Sequence, residues 1–187
     1  RYSLSEKFSK ALSDWVSKGN TLITIGTGSS WAVNTKFVKE KLIKVVPDST
    51  TLTSRKPYVD AGENIGREAL GGVFLKGDMD LSHPLGFGYD QSRVALYKNN
   101  EVWLAPSKSA YGTVIDYAEK PHLDGYISEK NQREFLPKSA SLIVSPKGMG
   151  RVIMFADNPN FRGIHYGMNR LFLNAIFLGN HIEVPSE

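Results

Sequence analysis

Apolar residues recur at helical spacing from the start of the chain. Leu4, Phe8, Ala11, Leu12, Trp15 and Val16 fall on one face of a helix. Ser3 and Glu6 have capping-box spacing, with Ser3 as the cap, and Gly19 closes the helix. The run Thr21-Leu22-Ile23-Thr24-Ile25 then reads as a strand apolar on both faces, a pattern that suits the middle of a parallel sheet. It passes through Gly26-Thr27-Gly28-Ser29-Ser30 into a helix over 31–41. Residues 47–72 are polar and rich in turn formers, and read as a long loop. Residues 93–98 and 101–105 flank Asn99-Asn100 and predict a hairpin. Residues 111–117 predict another strand. Residues 141–145 and 151–156 flank Pro146-Lys147-Gly148-Met149-Gly150 and predict a second hairpin with a wider turn. A final helix over 160–179 presents Phe161, Ile164, Met168, Leu171, Phe172, Ala175 and Ile176 on one apolar face, with Phe172 and Ile176 expected in the core.

With 187 residues the chain can bury a full core in one domain, and no internal repeat or boundary divides 1–187. A hydrophobic share of 41% against 22% charged is a globular balance. The net charge of +4 is scattered rather than gathered in a basic stripe, which gives no reason to expect nucleic acid. The absence of cysteine excludes disulfides, thiolate metal sites and a cysteine nucleophile, while fitting either redox compartment. The most apolar stretch, 161–178, is broken by Arg162, His165, Asn169, Arg170 and Asn174, so no membrane span is expected.

The strand-to-helix turn at 26–30 carries the most suggestive chemistry, because backbone N–H groups converge there as in a phosphate cradle or a nucleophile elbow. Trp31 stands where a dinucleotide fingerprint needs its third glycine, and the Gly-Lys-[Ser/Thr] of a P-loop is missing. The plain reading is a tight turn with a serine cap. The sharper readings make Ser29 or Ser30 a nucleophile with His83, His122 or His165 as base, or make Gly26, Thr27, Gly28 and Ser29 an anion site. His83 is the histidine expected to reach the turn, from the loop after a candidate strand at 73–76. Arg162, His165 and Arg170 could form a small anion site near the start of the last helix, against the plain alternative of a solvated or carboxylate-paired rim. Asp80 and His83 alone fall short of a zinc ligand set, so no metal site is expected.

Several longer segments resemble a known family. Leu81-Ser82-His83-Pro84-Leu85-Gly86-Phe87-Gly88-Tyr89, Leu123-Asp124-Gly125-Tyr126-Ile127-Ser128, and above all 150–163 (GRVIMFADNPNFRG) and 167–177 (GMNRLFLNAIF) are similar to the glutamine amidotransferase-like domain at the C-terminus of bacterial zinc carboxypeptidase-like proteins. The resemblance implies an α/β fold, flavodoxin-like and of the class I glutamine amidotransferase type. Its mostly parallel sheet would be flanked by helices, with the antiparallel hairpins as additions. It also implies that the chain is an N-terminally truncated piece of that domain, since βα units would precede the first helix. Active class I amidotransferases place a cysteine on the elbow and a histidine–carboxylate pair downstream. Here the elbow at 26–30 holds no cysteine and no His-x-Glu follows. The resemblance therefore implies a non-catalytic accessory or binding domain with no cofactor of its own, any zinc being held by a separate catalytic domain. Its partners would be the upstream peptidase domain and a peptide or polymer ligand, in a secreted, periplasmic or cell-envelope setting.

Overall fold

The computed structural model describes residues 4–44, 55, 57–62, 66 and 69–183. Most of the predicted loop at 47–72 therefore lies outside the described residues, as does Ser3. Six strands form one mixed sheet in the order β1-β6-β5-β4-β2-β3. They are β1 (Thr21–Ile25), β2 (Val73–Met79), β3 (Arg93–Lys98), β4 (Thr113–Gly125), β5 (Ala140–Lys147) and β6 (Gly150–Phe155). The helices are α1 (Glu6–Ser17), α2 (Thr27–Asn34) and α3 (Tyr166–Leu178), with short 3-10 turns between elements. Only β1 and β6 pair in parallel; every other neighbouring pair is antiparallel.

The expected flavodoxin-like, mostly parallel sheet flanked by helices is thus corrected to a mixed sheet that is mainly antiparallel. The reason lies in the burial of each strand. β5 and β6 are buried on both faces. One face packs Leu142, Val144, Ile153 and Phe155 against Met168, Leu171 and Ala175 of α3. The other packs Ile143, Val152 and Met154 against Val16 of α1 and Ala32 of α2. That half is a helix–sheet–helix sandwich, the setting in which a doubly apolar strand is at home. β2 instead alternates, with Val73, Leu75, Gly77 and Met79 buried between more exposed positions, and β3 does the same with Val94, Leu96 and Lys98. Strict alternation belongs to an antiparallel sheet with one covered face. Parallel neighbours also need a crossover of a dozen or more residues, usually a helix. Among the described residues, the connections from β2 to β6 hold only short helical turns in place of a crossover helix. The doubly apolar run in β1 does pair in parallel, but at the edge of the sheet rather than its middle.

The two hairpin expectations divide. β5 and β6 form one, tighter than expected, with Lys147 opposite Gly150 and Gly148 at φ 61° in the two-residue turn. The 93–105 hairpin does not form: β3 pairs with β2 and the chain turns inward after Asn100. The Asn100 side chain accepts from Val102 N–H at 2.9 Å and donates to the Ala156 carbonyl at 3.0 Å. This local turn sends Val102, Trp103 and Leu104 into the core, where Leu104 bridges Leu42 and Ala140.

Helix ends also moved. Ser5 caps α1, accepting from Phe8 N–H at 3.3 Å. Of the expected apolar stripe only Val16 is fully buried, and Leu4, Phe8 and Trp15 stand about half exposed. The last helix begins at Tyr166, because Arg162 sits at φ 51° and interrupts helical geometry. The helix seats a narrow stripe of Met168, Leu171 and Ala175 together with Asn174, whose amide donates to the carbonyls of Leu85 and Phe87. Phe172 is half-buried against the edge of Phe155, and Ile176 is 51% exposed, which corrects the expectation that both are core residues. Leu171→Ala is therefore expected to cost about 2–5 kcal/mol. Ile176→Ala should stay within about 0.5 kcal/mol of wild type. Urea denaturation midpoints of the two variants check this.

Candidate functional site

The sheet's polarity decides what can meet at the strand-to-helix turn. β1, β6, β4 and β3 run one way, and β5 and β2 the other. The end of β1, the end of β6 and the end of β3 therefore lie at one end of the sheet. Gly26 makes the turn there with φ 52° and ψ −114°, a sparsely populated conformation in which any Cβ is strained. Its N–H donates to the Phe155 carbonyl at 2.9 Å, which ties β1 to the last residue of β6. α2 begins at once with Thr27 and Gly28, whose N–H groups have no acceptor within the helix.

Ser29 is fully buried behind this turn. Its hydroxyl donates to the Phe155 carbonyl at 2.8 Å and lies 2.9 Å from the Thr24 hydroxyl. It is neither a helix cap nor an open nucleophile: its proton is committed to a backbone carbonyl of the sheet. Ser30 is half-buried one position further on, and neither serine hydroxyl is hydrogen-bonded to a histidine or carboxylate among the described residues.

The histidines are elsewhere. His83 follows β2, which runs opposite to β1, so it sits at the far end of the sheet from the turn. Its Nδ1 accepts from Leu85 N–H at 3.1 Å and caps the short turn Pro84–Gly86, while burial pushes its pKa down. His83 was expected to reach the serines from the loop after this strand; β2 runs opposite to β1 and carries it to the other end of the sheet. The His122 ring bonds the Gly125 carbonyl in the exposed tail of β4. His165 stands edge-on to Phe74, 5.6 Å between ring centres. His181 lies exposed in the turn after α3. Arg162 rests on the Phe161 ring, which stacks on Tyr97 of β3; no hydrogen bond joins Arg162 to the turn at Gly26, Thr27, Gly28 and Ser29. Among the described residues no three His, Asp or Glu side chains converge as a metal ligand set.

A buried polar cluster stands beside the turn, and sequence reading did not single it out. Asp157, two residues past β6, is fully buried. One of its oxygens accepts from Lys98 Nζ at 3.1 Å; the other accepts from the Tyr117 hydroxyl and the Ser141 hydroxyl, each at 2.7 Å. Lys98 Nζ also donates to the Val102 carbonyl at 2.8 Å and lies 4.4 Å from the centre of the Trp103 ring. Burial lowers the Lys98 pKa and the neighbouring carboxylate opposes the shift. Burial, reinforced by the Asp157 charge, pushes the Tyr117 phenol well above its ordinary range, so it remains a donor. Every member has a partner and none reaches solvent, which is the condition under which a buried ion pair is tolerated. The cluster fixes the segment after β6, whose Phe155 and Ala156 carbonyls hold Gly26, Ser29 and Asn100. One signal for it was legible: Val94, Leu96 and Lys98 share the inward phase of an alternating strand.

The site is therefore a strained strand-to-helix turn with no side chain at its apex, clamped from below by a closed polar cluster. No family model, no curated protein and no solved structure matches this chain.

Proposed function

We propose that this chain is a non-catalytic accessory or binding domain. The observation that carries the reading is the Ser29 hydroxyl, bound to the Phe155 carbonyl at 2.8 Å in a fully buried position. A serine nucleophile needs a base within hydrogen-bond reach and an open approach for the substrate. Ser29 has neither, and Gly26, at the strained apex where an elbow nucleophile would stand, has no side chain. The similarity of 150–163 and 167–177 to the C-terminal domain of bacterial zinc carboxypeptidase-like proteins supports a place beside such a peptidase, in a secreted or envelope setting. Any zinc would belong to that catalytic domain. A His-x-x-Glu zinc motif encoded upstream of Arg1 is the expected sign of this parentage.

Treatment with a fluorophosphonate probe tests the absence of catalysis. The expected result is no labelling of Ser29 or Ser30. Stoichiometric labelling that disappears in Ser29→Ala or Ser30→Ala would establish a serine hydrolase instead.

A further inference from the structure

At the opposite end of the sheet from the Gly26 turn, four separate segments enclose a cleft of about 590 Å³. They are the end of α1, the stretch after α2, the loop before β4 and the end of β5 with its turn. Four lysines line it, Lys36, Lys39, Lys108 and Lys147, against a single carboxylate, Glu40. The whole chain carries a net charge of only +4, against four lysines and one carboxylate in this single lining. Glu40 accepts a hydrogen bond from the Ser107 hydroxyl at 3.0 Å, and among the described residues none of the four ammonium groups has a carboxylate within ion-pair distance.

An ordinary solvated lysine face would leave long side chains loose, and this cleft differs in three ways. Lys147 is held: its Nζ donates to the Phe37 carbonyl at 2.6 Å and sits 4.2 Å above the Phe37 ring. Lys36 occupies the left-handed position that ends α2, at φ 57°. Its N–H bonds the Val33 carbonyl and the Phe37 N–H bonds the Ala32 carbonyl, the double closure that ordinarily calls for glycine at this place. A side chain is carried there despite the strain, and it lines the cleft. Ser109, also in the lining, has a buried hydroxyl with no hydrogen-bond partner among the described residues.

We propose that this cleft binds a small organic ligand carrying two or more phosphate groups. The lining offers ammonium point charges and no guanidinium. Ammonium groups bind phosphate oxygens as separate point charges, and four around one cleft match an anion whose charge is spread over two or more phosphates. Phe37, Val38 and Pro146 supply an apolar wall for the ligand's body, and the volume lies within the range of small-ligand sites. The Ser109 hydroxyl, unpartnered among the described residues, turns toward the cleft on rotation of its side chain and then donates to one phosphate oxygen. Nothing in this site depends on the Gly26 turn, so the proposal stands or falls separately from the absence of catalysis.

Inorganic tripolyphosphate is the probe, titrated calorimetrically at low ionic strength into wild type and into the triple variant K36Q/K39Q/K108Q. All three lysines are exposed, so the variant is expected to melt like wild type. The wild type should bind saturably at or below about millimolar concentration, and the triple variant at least about tenfold more weakly, the scale of losing several phosphate contacts. Ser109→Ala should weaken binding by a few-fold with unchanged stability. Absence of saturable binding, or binding that the triple variant leaves intact, would overturn the proposal. Citrate binding as tightly as tripolyphosphate would overturn its phosphate class.

Discussion

Lys98→Met is expected to destabilise the protein by about 3–5 kcal/mol, the loss seen when one partner of a buried ion pair is removed. Asp157 is fully buried and would keep only the Tyr117 and Ser141 hydroxyls as donors, while the Val102 carbonyl would lose its own. Met fills most of the volume, so the loss reports the stranded charge rather than a cavity. The double variant Lys98→Met/Asp157→Leu should recover part of the loss, because the uncompensated carboxylate is gone. Recovery stays incomplete, since the Val102 carbonyl loses its ammonium donor and the Tyr117 and Ser141 hydroxyls lose their shared carboxylate in a dry interior. Denaturant melts of the two single variants and the double variant form a cycle that isolates the coupling. A loss under about 1 kcal/mol for Lys98→Met would mean that water reaches Asp157 and that the cluster does not clamp the segment after β6.

Gly150→Ala is the second large effect. A Cβ on Gly150 would stand 1.9 Å from the Val16 carbonyl oxygen and 2.3 Å from that of Asn20. Both are backbone atoms at the junction of α1 and β1, so no side-chain rotation relieves the collision. The start of β6 would have to withdraw from β1, at a cost of about 3 kcal/mol or more, the upper range for overpacking. Gly71→Ala serves as the control, because among the described residues nothing lies within 4 Å of its Cβ position. It should change stability by no more than about 0.5 kcal/mol. Equal melting temperatures for the two variants would mean that α1 is not packed against the β6 start as described.

The sequence by itself determined what depends on neighbours along the chain. Turn chemistry at 146–150 placed β5, β6 and their hairpin, and the doubly apolar run placed β1 and its parallel pairing. The 3.6-residue period placed α1 and most of α3. The absence of cysteine removed thiol chemistry. Which strand lies beside which, and in which direction, was beyond local pattern. One doubly apolar strand was extended into a parallel sheet, although the alternation in β2 and β3 pointed to antiparallel partners. The direction of β2, which local pattern does not give, carries His83 to the other end of the sheet from the serines. Asn99-Asn100 carries hairpin chemistry, yet the burial of Val102, Trp103 and Leu104 outweighs it and turns the chain inward. Lys98 and Asp157 are 59 residues apart and meet only because the ends of β3 and β6 point the same way. The lysines at 36, 39, 108 and 147 look scattered along the chain for the same reason. Charge convergence is a property of distance in space, and only the packing of α2, β5 and the loop before β4 brings those four side chains to one cleft.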